Sequence, residues 1–77
     1  MSLSPAQCRA ARALLNWSQE DLVARCKITK KTIADFERGA THPRAQTVAQ
    51  IRADFEAAGI EFFDGAGLRM QLRGKAG

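Results

Sequence analysis

The stretch Ser18–Gly39, SQEDLVARCKITKKTIADFERG, decides the fold of this chain. Each half opens on a hydroxyl residue that can cap a helix, Ser18 in the first and Thr29 in the second. Apolar residues then recur at helical spacing: Leu22, Val23 and Cys26 in the first half, Ile33 and Phe36 in the second. Glu20 and Asp21 fall in the first turn after Ser18, where the positive end of a helix dipole favours them. Gly39 supplies a left-handed stop. The stretch therefore predicts two short amphipathic helices about three residues apart, with Lys30, Lys31, Thr32 and Asp35 facing outward from the second.

Working outward, Ser4-Pro5 with Gln7 is an N-cap, a first-turn proline and a capping-box acceptor. A helix follows to about Leu15, with Cys8, Ala11, Leu14 and Leu15 as its buried stripe; Asn16 and Trp17 break the pattern. On the other side, Ala40 to Pro43 is a connector. From about Arg44, Val48, Ile51, Phe55 and Ala58 mark a fourth helix that Gly59 ends. The period then changes to two. Ile60, Glu61, Phe62 and Phe63 read as a strand, Asp64 to Gly67 as a turn, and Leu68, Met70 and Leu72 alternate with Arg69, Gln71 and Arg73. The expected architecture is mainly α: a four-helix bundle over 1–59, a short C-terminal β-hairpin or strand over 60–73, and a frayed tail over 74–77.

Composition narrows the function classes. At 77 residues there is room for one small domain and one modest core. Lys and Arg total 12 against 8 Asp and Glu, a formal charge of +4, so an anionic partner is expected. Arg25, Lys27, Lys30, Lys31, Arg38 and Arg44 concentrate the positive field on the central stretch, opposed there only by Asp35 and Glu37. A solvated helix face would carry the same charges.

Cys8 and Cys26 form no CxxC, and His42 is the only histidine, so no metal site or cofactor is expected. Each thiol sits at an apolar helical position and reads as a small core residue. With one histidine, no tyrosine and no nucleophile with a traceable base, enzymatic chemistry is not expected. No secretory leader and no apolar run of bilayer-spanning length is read, so the expectation is a soluble, cytoplasmic, nucleoid-associated protein.

Arg12, Ser18-Gln19-Glu20-Asp21-Leu22, Thr29 to Ile33 and Glu37-Arg38-Gly39 carry a resemblance to the XRE/phage-repressor (Cro/C1-type) helix-turn-helix family over about 9–58. The resemblance implies a lambda-repressor-like bundle in a bacterial transcriptional regulator. Its second motif helix would enter the major groove of double-stranded DNA, with a homodimer on paired half-sites. It implies base contacts from Lys30, Lys31, Thr32 and Asp35, whose chemistry suits guanine, thymine and cytosine edges. Alternatively the two lysines only neutralise phosphate.

Phosphate contacts are implied for Ser18 and Gln19 at the start of the first motif helix, and for Arg38, Thr41, His42 and Arg44 beyond the second. Arg12 and Glu37 are implied as a structural ion pair. Two residues depart from the family pattern: Lys27 stands where the turn often has glycine, and Val23 where a smaller residue lets the helices approach.

The apolar tail residues Ile60, Phe62, Phe63, Leu68, Met70 and Leu72 either pair with a two-fold mate or cover the open end of the bundle. The alternative function is a protein-interaction module, an antitoxin or adaptor, on the same fold.

Overall fold

Three of the helices start with the caps their sequences imply. The computed structural model describes residues 3–62. In α1 (Pro5–Leu15), Ser4 Oγ accepts the Gln7 N–H at 3.0 Å while Gln7 Oε1 accepts the Ser4 N–H at 2.9 Å. In α2 (Gln19–Cys26), Ser18 and Asp21 make the same reciprocal pair at 3.0 and 2.9 Å. In α3 (Lys30–Glu37), Thr29 Oγ1 accepts the Thr32 N–H at 3.2 Å. Each cap satisfies a backbone donor that the helix cannot pair internally. The fourth helix, α4 (Ala45–Ala57), has Arg44 at its N-cap and no side-chain capping bond.

The turn between α2 and α3 takes the left-handed conformation without a glycine. Lys27 has φ 60° and ψ 33°, and its N–H donates to Val23 O at 2.8 Å. A left-handed L-residue costs about 1–2 kcal/mol, of which a glycine's freedom in the unfolded chain takes back about 0.5–1. Lys27→Gly is therefore expected to stabilise the domain by about 0.5–1 kcal/mol in urea unfolding. An unchanged or lower midpoint would show that the lysine conformation is unstrained.

One cluster forms the core: Leu3, Cys8, Ala11, Leu22, Cys26, Ile33, Phe36, Val48, Ile51, Phe55, Ile60 and Phe62, with Leu15, Trp17, Val23 and Ile28 packed against it. Leu14 departs from expectation and is 44% exposed. At about 100° per residue it lies about 120° around α1 from Cys8, whereas Ala11 and Leu15 lie within about 60°. The buried stripe of α1 is thus narrower than the apolar run suggests. Trp17, read in sequence only as a break, closes the α1–α2 corner by stacking on Phe55 at 5.7 Å between ring centroids.

The hairpin expected over 60–73 is not supported. Among the described residues there are four helices and no strand, and 60–62 lie in irregular backbone; 63–73 and the tail 74–77 lie outside the described residues. After α4, Gly59 (φ 107°) and Ile60 donate back to Glu56 O and Phe55 O at 3.0 and 3.1 Å, turning the chain onto the bundle. Ile60 and Phe62 are buried, and Phe62 meets Phe55 edge-on at 6.2 Å. For these two residues, covering the bundle's open end is the arrangement observed. Among the described residues no helix is long and apolar enough to cross a membrane.

Candidate nucleic-acid interface

The inward face of α3 is Ile33 and Phe36, which leaves the opposite face to solvent. Lys31 is the most open of its charged residues, its side chain 85% exposed, and its Nζ lies 3.0 Å from Asp35 Oδ2 one turn on. Arg38 pairs with the other oxygen of Asp35. Lys30 instead reaches across to α2, its Nζ 2.5 Å from Glu20 Oε2.

Charge-assisted bonds from Arg38 and then Lys31 hold the Asp35 carboxyl below its usual range, and Lys30 does the same for Glu20. Lys30–Glu20 is a surface pair, worth little net free energy and readily exchanged for another anion; the cations on Asp35 are as open, but the Asp35 side chain itself is only 15% exposed. Thr32, like Asp35, is less available than the two lysines: it is half-buried, and its hydroxyl accepts from Thr29 Oγ1 at 2.9 Å. Lys30, Lys31, Asp35 and Arg38 are thus gathered around one short helix.

The residues expected to touch phosphate are more dispersed. Ser18 is exposed at the start of α2, within its cap. Arg38, Thr41, His42 and Arg44 are exposed at the end of α3 and along the connector to α4. Thr41 and His42 also border an apolar recess formed by Leu3, Pro5, Phe36 and Val48. Gln19 turns inward, its Nε2 donating to Glu37 Oε1 at 3.0 Å.

Glu37 is the hub of the scaffold. It is 3% exposed, and Arg12 grips it bidentately, Nε to Oε2 at 2.7 Å and Nη2 to Oε1 at 2.8 Å. Cys8 Sγ donates to Oε2 at 3.1 Å, and Arg9 donates to the Glu37 carbonyl. Arg12 Nη1 also reaches Trp17 O at 3.0 Å, so one carboxylate ties α1, the α1–α2 corner, α2 and α3 together.

Sequence reasoning missed Cys8, Arg9 and Gln19 in this assembly. The available signal was that Cys8 and Arg12 lie one turn apart on one face of α1. Among the described residues, no group of three or more His, Cys, Asp or Glu is placed to hold a metal ion.

The network sets a pH window. Burial pushes the Glu37 carboxyl up, but the bonds from Arg12, Gln19 and Cys8 and the Arg12 charge outweigh it, so the group ends below its ordinary value. Its stabilisation is complete above the unfolded carboxyl value, about 4.3, and is lost as pH falls through the lower folded value.

The thiols act at the other end. Burial, then the Glu37 carboxylate, pushes Cys8 up; burial, then Asp54, pushes Cys26 up to about 12. A raised thiol contributes stability below the unfolded value of about 8.5 and loses it as pH climbs towards the folded one. The melting temperature is therefore expected to form a plateau between about pH 5 and 8 and to fall on both sides. A monotonic profile across that range would contradict the assignment.

No match was found among curated proteins. A family model described as helix-turn-helix matches residues 9–55, the span that holds α2, the Lys27 turn, α3 and both halves of the Arg12–Glu37 pair. Taken with the capped helix pair and its exposed basic face, that match establishes that the chain belongs to the Cro/C1-type (XRE) family of DNA-binding helix-turn-helix regulators.

Proposed function

We propose that the protein is a sequence-specific transcriptional regulator that lays the exposed face of α3 in the major groove and binds as a dimer. The observation that carries this reading is that face itself. An eight-residue helix, fixed from behind by Ile33, Phe36 and the Glu37 hub, presents Lys30, Lys31 and Arg38 to solvent. A helix of that width fits the major groove, and side chains near its N-terminus reach base edges.

Lys30 would then exchange Glu20 for a base or phosphate acceptor, while Lys31, whose ammonium has two donors beyond the one on Asp35, would reach a base acceptor with Thr32 and Asp35 beside it. Gln19 fits a phosphate role in spite of its inward turn. An amide nitrogen carries two donors, so Glu37 holds the side chain while the second N–H reaches the backbone. Ser18, Arg38, Thr41, His42 and Arg44 would meet phosphate around the groove.

A dimer follows from size. A single module of this kind covers about 600–1,000 Å² of DNA-facing surface, and affinity is gained by pairing half-sites about 34 Å apart. Since Ile60 and Phe62 are spent inside the bundle, the dimer contact would come from other surface.

Selection of bound duplexes from a random pool tests the reading: a recovered motif with two-fold spacing is expected, and no motif at moderate salt would overturn it. Affinity should fall with salt at a log–log slope near −0.9 per phosphate contacted. Lys31→Ala is expected to weaken binding about tenfold or more on the selected site and to relax sequence preference. Gln19→Ala should weaken all sequences alike. Full-strength binding by both variants would rule out this docking.

A further inference from the structure

We infer that Asp35 is the base discriminator of α3: half-buried between the open side chains of Lys31 and Arg38, it selects a half-site with cytosine one or two steps from a guanine read by Lys31. The inference rests on the major-groove reading above and names the DNA sequence class that the same face would take.

Residues 31, 35 and 38 follow one another at four- and three-residue spacing, so they share one face of α3 and its C-terminal edge. Each oxygen of Asp35 is held by one cation, Oδ2 by Lys31 at 3.0 Å and Oδ1 by Arg38. A carboxylate offers about four acceptor sites, so this one can take a further donor while keeping both cations. The two cations also fix its direction. Their reading atoms lie 3.0 Å apart and their backbone origins about 6 Å along the helix, against about 3.4 Å per base step, so Lys31 and Asp35 address base pairs one or two steps apart.

A carboxylate brought up to a polyanion lowers affinity for every sequence, and the loss is recovered only where the facing base presents an N–H donor. In the major groove guanine and thymine present acceptors at O6, N7 or O4, and these repel it. Adenine presents its N6 amino group beside the N7 acceptor, which faces the second carboxylate oxygen unfavourably. Cytosine presents the N4 amino group alone. Asp35 thus selects by rejecting wrong bases as much as by binding the right one. Lys31, whose ammonium is open to solvent, suits the O6 and N7 pair of guanine.

The test is selection from a random duplex pool with the full chain and with Asp35→Ala and Asp35→Asn, each checked for native helicity by circular dichroism. The wild type is expected to return cytosine, next to or one base removed from guanine. Asp35→Ala should flatten the cytosine position, lowering discrimination there about tenfold, and bind unrelated duplexes more tightly. Asp35→Asn should convert that position to adenine, whose N6 and N7 an amide can bridge. The same motif from all three proteins would overturn the inference and leave the DNA-binding reading standing. No motif from folded wild-type protein would overturn both.

Discussion

Phe55→Ala is expected to leave the domain mostly unfolded at 25 °C. The ring is fully buried, stacked on Trp17 on one side and met by Phe62 on the other, so it joins the α1–α2 corner to the segment after α4. Removing a buried phenylalanine side chain costs about 3–5 kcal/mol, because the cavity adds to the lost transfer energy. At about 0.05–0.15 kcal/mol per residue 77 residues give about 4–12 kcal/mol, and a single core of this size supplies the low end, about 3–5. Far-ultraviolet circular dichroism against urea should show a midpoint at or near zero denaturant. An unfolding free energy within about 1 kcal/mol of the wild type's would show that the aromatic cluster is peripheral to the core.

The second large effect is expected from Arg12→Ala, a loss of about 3 kcal/mol, the low end for breaking a buried pair because Arg12 itself is partly solvent-exposed. At about 4–8 °C per kcal/mol, the melting temperature should fall by about 12–24 °C. The cause is what remains, not what is removed. The Glu37 carboxylate would keep only the neutral donors Gln19 and Cys8, since Arg9 is bonded to the main-chain carbonyl and not to the carboxylate.

The direction of its titration should then reverse. With burial dominant, the folded carboxyl would rise above its unfolded value, and such a group contributes stability at low pH that is lost as pH rises. The gap between variant and wild type should therefore be widest at neutral pH and narrow towards pH 4. Arg12→Lys, which keeps the charge but not the fork, should fall between the two. A melting temperature equal to the wild type's would remove Glu37 from its place as hub.

Some of this molecule could be read from local chemistry. Ser4, Ser18 and Thr29 each satisfy a donor three residues away, so residue type and spacing carry the whole interaction, and three helix starts follow from it. Gly39 and the left-handed Lys27 are equally local. Long-range assembly is where local reading runs out. Nothing in the spacing of Cys8, Arg9, Gln19 and Glu37 shows that they converge on one carboxylate, since that depends on how three helices cross.

Leu14 was misplaced because an apolar residue beside an apolar stripe looks the same in sequence whether or not a neighbouring helix covers it. Ile60 and Phe62 alternate as a strand would, but the burial that alternation signals is met by the end of α4 and not by a paired strand. For the candidate interface, residue type and position mark Lys31 and Arg38, whereas their shared hold on Asp35 emerges only from the three-dimensional arrangement.

The corner built by Trp17 has a spectroscopic consequence. Trp17 is the only tryptophan, and the chain has no tyrosine, so intrinsic emission arises from one indole. That indole lies against Phe55 on the core side, with the Arg25 guanidinium 4.3 Å from its ring centroid. The protein therefore carries its own optical reporter. Its wavelength follows the wetting of the α1–α2 junction, and helix content recorded in parallel tells whether that junction opens before the bundle melts.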